Sequence, residues 1–271
     1  KTGASITNPA VSEILDGSGE PNNPYLIYNT QQLVFMSFYT CEYDKHYKLM
    51  DDIDLSLFEY ALFHQALIAP DYRLPFAGCF DGNGHVICNL TIDTAGNETY
   101  NLGLFGNIDS SGVIKNVNIV NVIIDGGESS VMLGGLAGMN LGSIENSYAS
   151  GNITAGNYSM YLGVLVGYNA GNIRNSHSTG NVSAHVYFGG LVGSNSGNIS
   201  NCYSNGIITT NGNEVGGLAG ENRGTVRNCH STMNITSGGT FSYRIGGLVG
   251  HNHYGSIYDC YIEGVQLIVE G

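Results

Sequence analysis

Tryptophan is absent from this 271-residue sequence, proline occurs only 5 times, and charged residues make up 11% of the chain. That is well below the quarter or so found in ordinary globular proteins. The surface must therefore be dressed mainly with Asn, Ser, Thr, Gly and Tyr. Cations are the scarcest group: 9 Lys and Arg stand against 22 Asp and Glu, a formal charge of −13, and they are scattered rather than clustered. Phosphate contacts require basic side chains, so nucleic acid is excluded as a partner, and anionic membranes and polyanionic sugars are disfavoured. No apolar run approaches the roughly 18 residues needed for a membrane helix. The first residue is Lys1 rather than an initiator Met, which reads as the mature end left by signal-peptide removal and hence an extracellular or cell-surface location.

Glycine, by contrast, occurs 40 times, and much of it falls in a repeat. An apolar-Gly-x-Leu-x-Gly core recurs as Leu133-Gly-Gly-Leu-Ala-Gly138, Leu162-Gly-Val-Leu-Val-Gly167, Phe188-Gly-Gly-Leu-Val-Gly193, Val215-Gly-Gly-Leu-Ala-Gly220 and Ile245-Gly-Gly-Leu-Val-Gly250, after a degenerate Leu102-Gly-Leu-Phe-Gly106. Successive closing glycines are 32, 29, 26, 27 and 30 residues apart, so loops absorb the length differences. Each core is followed by an Asn (Asn140, Asn169, Asn195, Asn222, Asn252), then a Gly, an aliphatic, a second Asn or Asp and a ring: Tyr148, His177, Tyr203, His230, Tyr261.

The short alternating apolar stretches between Asn-Gly turns are strand chemistry, with no helical periodicity of useful length. One such unit cannot bury its own apolar face, whereas stacked units share a continuous core. The fold class expected is all-β, a parallel β-helix or β-solenoid, right-handed as such helices generally are. Leu and Ile then stack inward, glycines sit at positive φ or at close coil contacts, and stacked Asn side chains form amide ladders.

These residues resemble the bacterial GLUG repeat family, with Gly189-Gly-Leu-Val-Gly-Ser-Asn-Ser-Gly-Asn-Ile-Ser-Asn-Cys-Tyr203 as a representative copy. Phe76-Ala-Gly-Cys-Phe-Asp-Gly-Asn-Gly-His85, Val86-Ile-Cys-Asn-Leu-Thr-Ile92 and Lys48-Leu-Met-Asp-Asp-Ile-Asp-Leu55 look like segments that precede such repeats, so the likeness covers roughly residues 24–265. The resemblance implies an extracellular β-solenoid of the surface or adhesin-like kind. Some family members carry metallopeptidase domains, but this sequence has no His-Glu-x-x-His.

Three segments are expected: residues 1–24 as an N-terminal arm, 25–101 as a cap with the first coils, and 102–271 as the repeat solenoid. Asn29-Thr30 reads as an N-cap before a short amphipathic helix at Gln31-Gln-Leu-Val-Phe-Met-Ser37, placed to cap the solenoid. The apolar positions Ile6, Val11 and Ile14 of the arm, and Leu267, Ile268 and Val269 at the other end, are candidate assembly contacts for head-to-tail stacking into a filament.

Chemistry-bearing residues are sparse. Cys79 and Cys88, flanking the Asp81-Gly-Asn-Gly84 turn, are the best disulfide candidates among six cysteines. Cys202, Cys229 and Cys260 share one repeat position and read as a column of small side chains rather than bridges. Cys41 has no such counterpart.

His177 and His230 read as stacking rings rather than bases. His251-Asn-His253 could ligate a metal from one strand face, and Asp51, Asp52 and Asp54 are spaced like a loose calcium site, but both read more simply as surface groups, so no metal and no cofactor is expected. Asp125, Glu128, Glu145 and Glu221 form no evident acid-base pair, and Lys115, Arg174, Arg223, Arg227 and Arg244 give no cluster for binding uronates, so no catalytic residue is assigned.

The chain is read as a structural or adhesive protein whose main partner is itself. A module binding cell-surface or matrix glycans is the alternative, with Tyr72, Tyr100, Tyr158, Tyr161, Tyr187 and Tyr243 as candidate ligand or subunit contacts. Asn89, Asn97, Asn152, Asn157, Asn181, Asn198 and Asn234 head Asn-x-Ser/Thr triplets, the acceptor pattern for N-glycosylation.

Overall fold

A computed structural model describes residues 10–59, 61–183, 186–238 and 243–269. Ile6 lies outside the described residues. The chain winds into a β-solenoid with four parallel sheets running along its axis. The first sheet has nine strands, from Tyr25–Ile27 and His46–Leu49 through Ser143–Glu145, Asn172–Arg174 and Asn198–Ser200 to Ser256–Tyr258. The second contains the longest strands, such as Tyr148–Ala155, His177–Ser183, Tyr203–Thr210 and His230–Ser237. The third and fourth have six strands each, and the Gly-x-Leu-x-Gly core joins them at every coil.

Because the register advances by one whole repeat per coil, equivalent residues stack. One inward column runs Tyr47, Phe80, Ile114, Ile144, Ile173, Ile199, Val226, and every member is at most 1% exposed. Each such burial contributes roughly 1.5–3 kcal/mol against the entropy of ordering the coil. The core leucines Leu136, Leu165, Leu191 and Leu218 are fully buried as well.

Two asparagine ladders run along the axis. The buried one passes from Asn140 to Asn169, Asn195 and Asn222 and ends on the exposed Asn252, each Nδ2 donating to the next Oδ1 at 2.7–2.8 Å. The exposed one joins Asn146, Asn175, Asn201 and Asn228 in the opposite sense at 2.8–3.1 Å. All four residues of this second ladder have positive φ, so Asn and not glycine takes this left-handed corner. The repeat glycines just after the buried ladder serve close approach instead. A Cβ on Gly197 would lie 2.0 Å from the Gly171 carbonyl oxygen, and one on Gly224 would lie 2.0 Å from that of Gly197.

The helix falls where the N-cap signal placed it. Helix α1 spans Thr30–Met36 and begins with the Asn29 side chain accepting from Gln32 N–H at 3.0 Å. Leu33, Val34 and Met36 are buried.

Two expectations are corrected here. Residues 11–24 do not form a free arm: Val11 and Leu15 are buried, Ile14 packs on the core, its carbonyl accepts from Gln32 Nε2 at 3.1 Å, and Asp16 bridges Leu26. Burying these apolar groups seals the N-terminal end within the same chain, so Val11 and Ile14 are not available to complete a neighbour. Nor do Cys79 and Cys88 bridge, since all six cysteines are free thiols. Cys79 lies in the first sheet and Cys88 in the second, each beside an inward residue (Phe80, Ile87), so the two thiols face outward from different faces. Cys202, Cys229 and Cys260 do stack, with Cys202 N–H on Cys229 Sγ and Cys229 N–H on Cys260 Sγ, both at 3.4 Å. They continue a column begun by Ser147 and Ser176.

Asn195→Ala, which strands the Asn169 amide and the Asn222 oxygen inside the coil, should lower stability by roughly 2–4 kcal/mol in urea unfolding. Asn181→Ala on the solvent side should cost less than about 1 kcal/mol. Native thiol titration should modify exposed Cys41 first. Cys202, whose thiol burial pushes up, should stay unmodified until the chain unfolds.

Candidate functional site

Three features of the outer surface carry chemistry. The first is a ladder of rings. After each Asn corner the chain turns into the second sheet, and the first residue of the strand points outward, so one ring per coil is set above the last. Tyr148, His177, Tyr203, His230 and Tyr261 stack at centroid spacings of 4.5, 4.5, 5.0 and 4.8 Å, with planes within 30° of parallel. The two histidines are stacking members, as the repeat position implied. Burial pushes the His177 ring below its ordinary value, favouring the neutral form. The faces of the three inner rings are covered by their neighbours, which leaves edges rather than π-faces to solvent. Sugar stacking needs a face.

The second feature is the set of tyrosines expected as contacts. They do not converge on one surface. Tyr72, Tyr100, Tyr158 and Tyr243 are exposed at separate places, with Arg73 lying over Tyr72 and Arg244 over Tyr243. Tyr100 donates to Glu98. Only Tyr161 and Tyr187 come together, 5.1 Å apart, and both belong to strands of the third sheet rather than to loops.

The third is a carboxylate-imidazole cluster near the C-terminal end. The residues that flank the ladder Asn change from coil to coil: Ser194 and Ser196, then Glu221 and Arg223, then His251 and His253. Glu221 lies opposite His251 in the parallel register. Although only 2% exposed, Glu221 accepts from Ser194 Oγ at 3.1 Å and from Arg223 at 2.9 Å, and meets His253 Nδ1 at 3.7 Å. Glu214, 5% exposed, is ion-paired with Arg244 and lies 3.2 Å from His251 Nδ1. The sequence showed the His-Asn-His pattern but not its partners. The signal was available, since Glu221-Asn-Arg223 occupies the same repeat position one coil earlier.

The remaining candidates are coil-to-coil connectors. Asp52 accepts from Val86 N–H at 2.9 Å, and Asp54 from Ser56 N–H at 2.9 Å and Asn89 Nδ2 at 2.8 Å; these bonds hold both carboxyls below the usual range. Glu145 is held low despite burial by Arg174 at 2.6 Å and by Ser143. Asp125 accepts from Thr154 at 2.9 Å.

Of the triplet asparagines, Asn181 donates to Asn152 at 2.8 Å, Asn198 to Asn172 at 3.0 Å, and Asn97 to the Thr94 carbonyl at 2.8 Å. Asn157 is exposed, and Asn234 Oδ1 accepts from Gln266 N–H at 3.0 Å. Leu267–Val269 pairs with the strand at Ile235–Ser237, leaving Leu267 and Ile268 exposed.

Stacked coils, inward aliphatic columns and paired amide ladders define a parallel β-solenoid repeat protein. The chain belongs to the GLUG-repeat family: the GLUG motif matches five times, at residues 129–154, 158–183, 184–209, 211–236 and 241–267. It is similar to halomucin of Haloquadratum walsbyi, 33% identical over 151 residues, 54% of this chain and 2% of that protein. It also resembles a putative Gly-rich membrane protein of Evansella cellulosilytica, 31% identical over 140 residues, 48% of this chain and 15% of that protein. The chain thus spans a small fraction of the length of the curated relatives it matches. A crystal structure of a putative immunoglobulin A1 protease from Bacteroides ovatus shares the fold, with a TM-score of 0.65 at 22% identity, covering 93% of this chain and 78% of that one.

Because the folded-state value of His177 lies below the unfolded one, the unfolded chain takes the extra proton. The stability this ring contributes is complete above the ordinary imidazole value of about 6.5 and is lost as pH falls from there through the lower folded-state value. His177→Tyr, which keeps the stack, should flatten the fall in unfolding midpoint over that window relative to the unaltered chain.

Proposed function

We propose that this chain is a rigid structural element of an extracellular or cell-surface protein. Its membership of a repeat family and relatives named as a mucin and a membrane protein support the surface role. The paired carboxylates and the occluded ring faces give neither a free acid-base pair nor a sugar platform, which favours structure over hydrolysis or glycan binding.

The observation that carries this reading is the stacking of the coils. One inward column runs from Tyr47 to Val226 and one amide ladder from Asn140 to Asn222, so successive coils are joined through both apolar and polar contacts along the axis.

Small-angle X-ray scattering on the chain should give the profile of a rigid rod, while a glycan array and a panel of polysaccharide substrates should show neither retention nor turnover. A flexible-chain profile, or saturable glycan binding or turnover, would overturn the structural reading.

A further inference from the structure

We infer that Glu221, His251 and His253 form a binding site for a divalent transition-metal ion of the zinc class, one that clamps the last coil to the one before it. Each of the three offers one ligand atom, and these atoms lie within 4.8 Å of one another. Two imidazoles with one carboxylate is a donor set suited to zinc, leaving a fourth position for water.

The arrangement is a consequence of the repeat. Asn252 accepts from Asn222 at 2.7 Å, the flanking His251 and His253 rings lie together with centroids 5.2 Å apart, and the parallel register sets Glu221 opposite His251. A site formed this way is present without further ordering of the backbone.

Its electrostatics fit a cation. Two nearly buried carboxylates, Glu214 and Glu221, face the two imidazoles, and each is held by an arginine whose side chain is about half exposed, 48% for Arg244 and 51% for Arg223. Arg223 is the group an ion would displace. It holds Glu221 at 2.9 Å on an exposed stem that can swing into solvent, whereas Glu221 is fixed by Ser194. Glu214, 3.2 Å from His251 Nδ1, is placed to orient that ring in the manner of an outer-shell carboxylate. The sequence read alone led to no metal site, because the third ligand sits 30 residues away from His251 and enters only through the register.

The ion would bridge Glu221 on one coil and two histidines on the next. It would act as a staple there rather than as a reaction centre.

The test is calorimetric titration of the tag-free chain with zinc chloride, with calcium chloride as the oxygen-preferring control. One equivalent of zinc should bind and raise the melting temperature, with calcium giving no signal. His251→Gln combined with His253→Gln should weaken zinc binding at least tenfold, while His177→Gln combined with His230→Gln in the ring ladder should leave it unchanged. Arg223→Gln, which removes the competing cation and needs no ligand change, should tighten it severalfold. Cobalt substitution should give the visible absorption of a tetrahedral site. Absence of zinc binding in the unaltered chain, equal binding in the His251/His253 double variant, or weaker binding in Arg223→Gln would each overturn the assignment.

Discussion

The parallel register between successive coils is the constraint on which the rest of this structure depends. A single coil encloses too little apolar volume to offset the entropy of ordering its own backbone. Once each residue sits above its counterpart, every backbone group on a sheet finds a partner, and Ile144, Ile173 and Ile199 share one buried column. The same condition explains why glycine recurs beside the buried ladder: a Cβ on Gly171, Gly197 or Gly224 would lie only 2.0–2.1 Å from a carbonyl oxygen of the preceding coil, and coils could not close to sheet spacing.

Stacking also multiplies small polar interactions. A lone buried asparagine would be costly, since its amide offers more hydrogen-bonding groups than one neighbour satisfies. In a ladder each amide is both donor and acceptor along the axis, and its remaining needs are met locally, as where Asn195 Nδ2 also reaches the Gly197 carbonyl at 3.2 Å. The serine and cysteine column works alike, and for that reason Cys202 behaves as a packed small side chain rather than a redox group. Function at the surface inherits this regularity: the ring ladder spends its aromatic faces on itself, and the pairs beside each ladder Asn become a site only where their identities change from Ser to Glu and Arg and then to His.

Much of this was legible in the repeat. Five copies of a Gly-Leu core, an Asn two residues on and a ring at a constant position specify coil, ladder and stack together, because positions that recur in sequence must coincide in space once coils pair. The N-cap at Asn29 was equally readable, being a local hydrogen bond. Less legible was anything outside the repeat. The apolar positions Val11 and Ile14 carried no period, so nothing local distinguished a free arm from one folded back on α1. Cys79 and Cys88 flank a turn closely enough to suggest a bridge, but which sheet each joins is decided by their neighbours in other coils.

By itself the sequence determined the coil, its direction of stacking and the chemical identity of each column, since all three follow from periodicity and from side-chain types acting within one repeat or between equivalent positions. Tertiary structure alone decided that Val11 and Leu15 are buried against the first coil, and that the Tyr161 and Tyr187 rings meet. It also brought Glu214, Glu221, His251 and His253 into one cluster. The physical reason is that each contact depends on which residues two different coils happen to carry at facing positions, and on the loop lengths and register that bring them together, none of which a single copy of the repeat contains.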